Sequence, residues 1–509
     1  MLVINDLSVV HSRDLREMLS GFSLLLDRGD RAVLIGEEGN GKSTLLKLIH
    51  DPAMAEGYVE WSGEISAGGR TGYLPQELTS EQLAHPAREL FEGSESFMSL
   101  TPKERASLAA ELGLEAAVFS SERTLREFSG GERIKLQLAL IAAESPELYL
   151  LDEPSNDLDL DSLEWLEEFI NSRREPVLFV SHDETLIERT ANVVVHLEML
   201  RRKTLPRATV ARLPYRDYVE IRYKSLAKQE QAARKEREEL ERKLERYRQI
   251  RQKVESAQTK ISRQDPHGGR LLKKKMHSVQ SMGRRFEKER EALTAMPETE
   301  EAIFLSFPSE ASIPNGKRVL ELTLPELEVE GRTLARNIEL RVIGPERVCI
   351  VGGNGAGKTT LLRRISAVLM ERRDIHAAYM PQELGERLNT SESPIELLNV
   401  SGSRAEETRI RAVLGSLRYT TKEMEHPCTE LSGGQRAKLL LASMALERAD
   451  VLILDEPTRN LSPLSGPVIR ELLRSFRGAV ISVSHDRKFI SEVSTTVYEL
   501  TPEGLCRIS

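Results

Sequence analysis

Two stretches of the sequence share the same spacing of glycines, a lysine and a hydroxyl. Residues 36–43 read Gly-Glu-Glu-Gly-Asn-Gly-Lys-Ser, and residues 352–359 read Gly-Gly-Asn-Gly-Ala-Gly-Lys-Thr. Glycines let such a loop curl its backbone N–H groups inward, so that the lysine reaches the terminal phosphates of a nucleotide and the hydroxyl reaches Mg²⁺. The spacing therefore predicts two phosphate-binding loops. They contain Gly36, Gly39, Gly41, Lys42, Ser43 and Thr44, and Gly352, Gly355, Gly357, Lys358, Thr359 and Thr360.

The elements on either side of each loop support this interpretation. An apolar run precedes the loops at 32–35 and 348–351, and a helical pattern follows them at 45–49 and 361–365. A strand, a loop and a helix in this order place the partial positive charge of the helix start against a phosphate. A chance glycine-rich turn gives no reason for two copies in the same context.

Four further motifs follow each loop in the same order. They are Tyr-x-Pro-Gln-Glu, Ser-Gly-Gly before a helical run, an apolar run ending in Asp-Glu-Pro, and Ser-His-Asp after another apolar run. Five motifs recurring in one order indicate an internal duplication, and alternating strand and helix patterns predict α/β domains. The residues are Gln76, Ser129, Gly130, Gly131, Asp152, Glu153 and His182, and then Gln382, Ser432, Gly433, Gly434, Asp455, Glu456 and His485.

This set of motifs resembles the nucleotide-binding domain of the ATP-binding cassette (ABC) proteins. Two such cassettes joined by a long charged helical linker resemble the ABC-F family, cytoplasmic ATPases that act on ribosomes as translation factors or as antibiotic-resistance proteins. The fold class expected from the resemblance is α/β, with two P-loop ABC nucleotide-binding domains joined by an α-helical hairpin linker. The expected domains are residues 1–203, the linker 204–299, and residues 300–509.

The resemblance also implies a role for each motif, because ABC cassettes pair head to tail around two ATP molecules. Each site is then expected to combine one phosphate loop with the Ser-Gly-Gly turn of the other cassette. Glu153 and Glu456 would orient or deprotonate the attacking water, and His182 and His485 would reach the γ-phosphate. The expected cofactors are ATP and Mg²⁺, with Mg²⁺ held by Ser43, Gln76 and Asp152 at one site and by Thr359, Gln382 and Asp455 at the other.

Some positions depart from the family pattern. Glu37 and Glu38 stand in the first phosphate loop where the family commonly has Pro-Asn, and carboxylates beside a triphosphate should weaken its binding unless they point away. After the second Asp-Glu-Pro, Ser462 stands at the position where Asp159 supplies an acid in the first copy. We therefore expect the two sites to be unequal. Neither cassette has an obvious Tyr at the expected upstream position to stack on the base. His11 is a weak candidate in the first copy, and Val329 is nearby in the second.

Charge is distributed unevenly along the chain. The formal net charge of −8 divides into −20 over residues 1–200, +13 over 201–300 and −1 over 301–509. A basic middle in an acidic protein indicates a polyanionic partner for that segment. The family resemblance identifies this partner as the ribosome, through rRNA and P-site tRNA.

The middle segment carries apolar residues every seven positions, from Leu226 to Ile261 and from Leu272 to Leu293. The stretch Asp265–Gly269 is expected to break this pattern, which predicts an antiparallel hairpin of two long helices. Most of the charged residues are those of a solvated coiled coil. The tip is different, because residues 260–285 hold eight basic residues and one acid. The candidate RNA-binding residues are Lys260, Arg263, Arg270, Lys273, Lys274, Lys275, Arg284 and Arg285.

Two other classes of function remain open at this point. Tandem cassettes also occur as the ATPase of a membrane transporter, and as ATPases of nucleic-acid repair. No run of eighteen apolar residues encodes a membrane span, and the first residues lack the pattern of a signal peptide. Three scattered cysteines suggest a reducing compartment. A cytoplasmic ATP hydrolase, monomeric through pairing of its own two cassettes, is the leading interpretation.

Overall fold

The computed structural model describes residues 1–156, 158–200, 204–260, 266–291, 305, 307, 312–329, 331–388 and 390–508. The chain divides into two compact units. One comprises Met1–Tyr215 together with Glu300–Ser509, and the other comprises Arg216–Thr299. Both halves of the duplicated sequence therefore lie within one unit, and the basic middle segment forms the other.

Nine strands are described in the first half of the duplication, and its sheets are built on the apolar runs of the sequence. All five residues of Leu148–Asp152 are buried, which is typical of a parallel strand covered on both faces. The strands are β1 (Leu2–His11), β2 (Glu17–Leu26), β3 (Arg31–Ile35), β4 (Val59–Ala67), β5 (Thr71–Leu74), β6 (Leu148–Asp152), β7 (Val177–Val180), β8 (Val193–Met199) and β9 (Leu205–Ala211).

These strands form two sheets. A six-stranded sheet has the order β5-β6-β7-β3-β8-β9 and is parallel except for β9, and an antiparallel sheet has the order β2-β1-β4. The core packs the antiparallel sheet and the helix after the phosphate loop against the central strands. The α-helices are Lys42–His50, Ser80–Ala84, Ala87–Glu92, Glu95–Met98, Pro102–Glu111, Gly130–Ala143, Leu160–Ser172 and Glu184–Thr190; Pro52–Ala55, Ala116–Ser120 and Leu125–Glu127 are 3₁₀ turns.

The second half repeats this plan. A six-stranded sheet has the order β13-β14-β15-β12-β16-β17, and β10 pairs with β11. Its strands are β10 (Arg318–Val329), β11 (Arg332–Ile343), β12 (Arg347–Val351), β13 (Ala377–Met380), β14 (Val451–Asp455), β15 (Ala479–Val483), β16 (Thr496–Thr501) and β17 (Gly504–Arg507). Its α-helices are Lys358–Met370, Gly385–Leu388, Pro394–Leu398, Arg404–Ser416, Thr421–Glu425, Gly433–Leu446, Gly466–Ser475 and Arg487–Val493, with a 3₁₀ turn at Cys428–Glu430.

The parallel topology brings the motifs of each half to one edge of its sheet. In the first half β3, β6 and β7 are adjacent and parallel. The residue that follows directly is Gly36 after β3, Glu153 after β6 and Ser181 after β7. The carboxyl ends of parallel strands share one edge, which is where ligands bind in such sheets. The expected α/β fold class with a helical insert is confirmed.

The first sheet extends further along the chain than the expected start of the linker at residue 204. Strand β9 pairs antiparallel with β8. Met199 lies opposite Pro206 at one end of the pairing, and Val194 lies opposite Ala211 at the other. Residues 205–211 are thus part of the first sheet. Their polar, alternating sequence is that of an edge strand with one exposed face, and it lacks the apolar run that marks the central strands.

The middle segment contains two long helices, Tyr215–Lys260 and Pro266–Glu291. Tyr247 contacts Phe286 with ring centroids 5.7 Å apart, and Lys243 pairs with Glu289. Because the partner number falls as the chain advances, the two helices are antiparallel, as the heptad pattern predicts. Ala233, Leu240 and Val279 are buried.

The prediction that residues 265–269 break the helical pattern is wrong for residues 266–269. Residues 266–269 belong to the first turn of the second helix, where proline is tolerated because its missing N–H has no partner in any helix. Asp265 lies outside the described residues.

The packing of this hairpin yields a first prediction. Replacing Leu240 (4% exposed) by alanine should loosen the helix pair locally by about 2–5 kcal/mol, whereas replacing Ile250 (42% exposed) should change little. Limited proteolysis of the full chain should therefore cut residues 216–299 faster in Leu240→Ala than in Ile250→Ala. Equal cleavage of the two variants would show that Leu240 does not stabilise the hairpin.

Candidate functional site

Both phosphate loops form tight turns directly after a strand. Gly36 and Gly352 have φ values of 145° and 146°. A Cβ atom on them would lie 2.2 Å from the carbonyl oxygen of Leu197 and 2.7 Å from that of Leu500, respectively. Only glycine fits these positions, so the loops are fixed against the neighbouring strand. We call the site at residues 36–43 the first site and the site at residues 352–359 the second site.

The lysine of each loop folds back over its own backbone. The Lys42 Nζ atom donates to the carbonyl oxygens of Gly36 at 2.8 Å and Glu37 at 3.0 Å. Lys358 makes the equivalent bonds to Gly352 and Gly353, at 2.8 and 2.9 Å. Both lysines are buried. Each ammonium group is therefore held inside the curl of its loop, where a phosphate chain binds in this motif.

At the first site the strand-end aspartate meets the loop hydroxyl. The Ser43 hydroxyl donates to Asp152 Oδ1 at 3.0 Å, and the Tyr73 hydroxyl donates to Oδ2 at 3.3 Å. Burial raises the pKa of Asp152 to about 6, although the bond from Ser43 opposes the rise. Gln76, expected at the same metal site, is exposed two residues after β5.

At the second site the corresponding groups are also brought together. The Thr359 hydroxyl donates to Gln382 Oε1 at 3.4 Å. Both carboxylate oxygens of Asp455 are buried, and neither accepts a well-formed hydrogen bond from a described residue. Burial raises the pKa of Asp455 to about 6, opposed by Thr359 and by the charges of Arg363 and Lys358. A buried carboxylate that lacks a donor is a natural ligand for a cation.

The next acid along the chain at the first site, Glu153, is held by an ion pair. His182 Nε2 lies 2.9 Å from Glu153 Oε1. Burial opposes ionisation of Glu153, but the charge of His182 and its hydrogen bond outweigh burial and lower the pKa of Glu153. Burial likewise opposes the charge on His182, and Glu153 outweighs it, so that the pKa of His182 is raised. The pair is therefore a carboxylate with an imidazolium.

The equivalent acid at the second site is in a different state. His485 Nε2 lies 3.8 Å from Glu456 Oε1, and the backbone N–H of His485 donates to Oε2 at 3.3 Å. Burial raises the pKa of Glu456 to about 8, opposed mainly by that backbone bond. A carboxyl group with a pKa near neutrality is suited to accept a proton from water.

Sequence reasoning missed a feature that the two glutamates share. Glu153 and Glu456 have φ values of 51° and 50°, a left-handed conformation that costs a non-glycine residue about 1–3 kcal/mol. No pattern in the sequence signals this strain, because glycine or asparagine would be the usual choice there.

The Ser-Gly-Gly turns begin helices, as expected. Ser129 and Ser432 cap Gly130–Ala143 and Gly433–Leu446, each with a reciprocal bond to the residue three positions later. At the first site the turn of the second half reaches the phosphate loop of the first half, because the Gly434 N–H donates to Glu38 Oε2 at 2.9 Å. The predicted approach of a loop to the opposite turn is therefore seen at this site.

A cavity of about 420 Å³ lies at the second site. The second half contributes its phosphate loop, Gln382, Asp455, Glu456 and His485 to the lining. The first half contributes Ser155, Asn156, Leu158, His182 and Asp183. Val329, near the expected base-stacking position of the second copy, is also in the lining. Ser129, Gly130 and Gly131 are described residues but are not among those that line this cavity.

The two halves are further joined by a buried ionic network that sequence reasoning missed. Arg470 donates to both carboxylate oxygens of Glu184, at 2.6 and 3.2 Å, and both side chains are buried. Lys488 adds bonds to Glu184 at 3.0 Å and to Glu188 at 2.6 Å. These pairs are separated by about 300 positions in the chain, so no local pattern connects them.

Comparison with known families decides the identity of the two halves. The model of the ABC transporter family matches residues 19–156 and 335–459, which include both phosphate loops and both Asp-Glu pairs. The chain belongs to the ATP-binding cassette family. Its homologues are proteins of the ABC-F type, as its motifs predict.

Relatives and solved structures agree with this assignment. The chain is 29% identical to the tylosin resistance ATP-binding protein TlrC of Streptomyces fradiae, over 96% of this chain and 95% of the relative. It is 29% identical to the ribosome protection protein VmlR of Bacillus subtilis, over 94% and 83%. The same fold is seen in a crystal structure of the complex of archaeal ribosomal stalk protein aP1 and archaeal ribosome recycling factor aABCE1. The TM-score is 0.58 and the sequence identity is 17%, and the match covers 99% of this chain and 90% of the other. Among the described residues, no helix is long and apolar enough to cross a membrane.

The second site fits Mg²⁺ and ATP on its own geometry. The buried carboxylate of Asp455 lies near Thr359 and Gln382, which supplies oxygen ligands of the kind that Mg²⁺ prefers. The loop backbone, Lys358 and the start of the helix Lys358–Met370 supply positive charge for phosphates. These residues can hold the phosphate chain and the metal together.

The raised pKa of Glu456 gives a pH prediction. The folded protein keeps a proton on Glu456 up to a pKa of about 8, whereas the unfolded chain releases it near 4.5. The stability that comes from the protonated form is complete below the unfolded value and is lost as the pH rises through about 8. Glu456→Gln, which is neutral throughout, should therefore gain thermal stability relative to the parent between pH 6 and pH 9, by about 3–8 °C.

Thermal melts of the nucleotide-free protein at the two pH values would measure this gain. Glu92→Gln, at an exposed position, is the control and should show the same difference from the parent at both pH values. A Glu456→Gln difference that does not change with pH would contradict a protonated Glu456.

The buried pair between Arg470 and Glu184 gives a second prediction. Arg470→Met leaves the Glu184 carboxylate buried with fewer partners, a defect that costs about 3–5 kcal/mol. Adding Glu184→Gln should recover a large part of that loss. A double-mutant cycle of melting temperatures measures the coupling. Additive effects of the two substitutions would show that the pair does not stabilise the contact between the cassettes.

Proposed function

We propose that this protein is an ABC-F ATPase that binds the ribosome in its ATP-bound closed state and hydrolyses ATP to leave it. In this state it modulates translation or protects the ribosome from antibiotics. The observation that carries the proposal is the second site, where Lys358, Asp455 and Glu456 share one cavity with residues of the other cassette. A relative named as a ribosome protection protein and another named for tylosin resistance support the ribosome as the target.

Hydrolysis at such a site is mainly a matter of positioning and charge neutralisation. Bound Mg²⁺ would neutralise charge that develops on the transferred phosphoryl group. Lys358 and the loop N–H groups hold the phosphate chain in place. The ionised form of Glu456 is the one that accepts a proton from the attacking water, and the charges of Lys358 and of bound Mg²⁺ would favour that form. His485 lies beside it. Lys358 and Asp455 are buried, which strengthens the electrostatic interactions that they make.

Hydrolysis is coupled to the pairing of the cassettes. The second-site cavity is lined by both halves, so a triphosphate there contacts both and favours the closed arrangement. Cleavage removes the group that bridges them, and the population shifts toward an open arrangement. We propose two cassettes, expected at residues 1–203 and 300–509, joined by a linker expected at 204–299, with strand β9 (Leu205–Ala211) extending the first cassette beyond residue 203. The protein then acts as a monomer through pairing within the chain.

The linker is proposed to contact rRNA and P-site tRNA through its basic tip. Arg270, Lys273, Lys274, Lys275, Arg284 and Arg285 are all exposed. Arg263 and the side chain of Lys260 lie outside the described residues. Such residues contact phosphates and set position, with little base specificity.

Ribosome co-sedimentation tests the proposal. The variant Glu153→Gln/Glu456→Gln should sediment with ribosomes in ATP and much less in ADP, because it closes on ATP and cannot hydrolyse it. Higher salt should weaken the association, since phosphate contacts release counterions. Absence of ribosome binding in both nucleotides would contradict the proposal, and co-purification with a membrane permease would then favour a transporter ATPase.

The role of the basic tip has a separate test. Reversing the charges of Lys273, Lys274 and Lys275 should weaken ribosome binding and reduce its salt slope by about 3, roughly one for each phosphate contact. The matched control reverses Arg234, Lys235 and Arg237, three exposed basic residues elsewhere on the hairpin. Equal effects of the two triple variants would show that the tip has no special role.

A further inference from the structure

The first phosphate loop reaches across to the second cassette through its two glutamates. Glu38 Oε2 accepts the Gly434 N–H at 2.9 Å. This N–H is at the start of the helix Gly433–Leu446, and in the pairing described above it is a donor for the γ-phosphate of ATP. A carboxylate of the protein therefore occupies a hydrogen-bond donor that a triphosphate at the first site would need.

Glu37 makes more contacts with the second cassette than Glu38 does. Its Oε1 atom accepts from Lys438 Nζ at 2.9 Å, from the Ser465 hydroxyl at 3.1 Å and from the Ser462 hydroxyl at 3.5 Å. Lys438, Ser462 and Ser465 are all buried. Burial opposes the charge on Glu37, but the ammonium of Lys438 outweighs it and the pKa of Glu37 is lowered. The side chain is thus an anion held by three donors of the opposite cassette.

The second site has the reverse arrangement of charge. Gly353 and Asn354 stand where the first loop has Glu37 and Glu38, so that loop carries no acid. The acid is instead on the opposite side, at Asp159 of the first cassette, whose Oδ1 accepts the Ser162 N–H at 3.0 Å. Burial raises the pKa of Asp159, but the bonds with Ser162, and after them the charges of His485 and Lys358, outweigh burial and lower it. The position equivalent to Asp159 in the second cassette is Ser462, which contacts Glu37.

The two departures from the family pattern therefore form a matched pair. An aspartate at position 462 would place a second carboxylate against Glu37 in a buried interface, where like charges repel strongly. A serine removes that repulsion and donates a hydrogen bond. Glutamates in the loop and a serine at position 462 are therefore compatible with each other.

We propose that Glu37 and Glu38 form a latch that takes the place of a γ-phosphate at the first site. The latch joins the two cassettes at this site without ATP, and its carboxylates exclude a triphosphate from between the loop and the opposite turn. One ATP per chain then binds, at the second site, and its hydrolysis governs opening. This inference rests on the proposed function in taking the second site as an ATP site.

The number of ATP molecules trapped per chain tests the latch. The parent for the experiment is Glu153→Gln/Glu456→Gln, and bound ATP is counted by native mass spectrometry of the full chain. The expected result is one ATP. Adding Glu37→Gly/Glu38→Asn, which copies the sequence of the second loop, should raise the number to two, because the γ-phosphate then replaces the carboxylates on Gly434 and Lys438.

A charge-matched control separates this effect from a change in net charge. Glu92→Gln/Glu115→Gln removes two exposed acids from the same cassette and should leave one ATP bound. Two ATP molecules in the parent, or one in the Glu37→Gly/Glu38→Asn variant, would overturn the latch. No trapped ATP in the parent would instead overturn the proposed function on which the latch rests.

A second variant keeps the inference testable if the loop substitution disturbs folding. Ser462→Asp should repel Glu37 and lower the melting temperature of the nucleotide-free protein, and adding Glu37→Gln should restore it. A loss of stability that Glu37→Gln does not reverse would contradict the contact on which the latch depends.

Discussion

Negative charge between the two cassettes must be met by a positive charge or an N–H group from the opposite side. Glu37 binds buried side chains of the opposite cassette, whereas Glu38 is exposed. A buried charge without a partner is strongly destabilising. Each phosphate loop already gathers positive potential from its lysine, its backbone and its helix start. The two sites differ in the negatively charged groups of their phosphate loops, because the first loop carries Glu37 and Glu38 and the second carries Gly353 and Asn354. At the first site Glu37 binds Lys438 and Glu38 binds the Gly434 N–H.

The two sites also differ in the glutamate and the histidine that would act on the attacking water. Glu153 is ionised in a close pair with His182, whereas burial raises the pKa of Glu456 to about 8 and His485 is further away. His182 Nδ1 also lies 2.6 Å from the Leu461 carbonyl of the other cassette. The first site is thus tied into the interface by its loop and by its histidine. The second site keeps a cavity beside its acids, which is where substrate and water need room.

Much of the fold follows from the sequence because its signals are local. Apolar runs of about five residues predict the parallel strands, and each motif follows the end of such a run. The sheet then brings the ends of adjacent strands to one edge, so that Ser43 and Asp152 meet although 109 positions separate them. The heptad pattern predicts the antiparallel hairpin for a similar reason, since it marks one face of each helix.

Contacts across the interface were beyond sequence reasoning because they join residues with no local relation. The glutamates of the first loop stand out in the sequence as unfavourable beside a triphosphate, but their partners Lys438 and Ser465 could not be identified. The pair between Arg470 and Glu184 has no signal at all, because a buried arginine in an amphipathic helix resembles an exposed one. Gln76 fits its motif, yet it is exposed, whereas Gln382 contacts Thr359.

The central claim is that nucleotide at the second site governs the opening of the cassettes. Distances between spin labels at Glu92→Cys and Arg404→Cys, one on each cassette at exposed positions, would test it most directly in a Cys506→Ser background. With ATP, Glu456→Gln alone should hold a single short distance, whereas Glu153→Gln alone should return to the distances seen with ADP as its ATP is consumed. Equal trapping by the two single variants would contradict the claim.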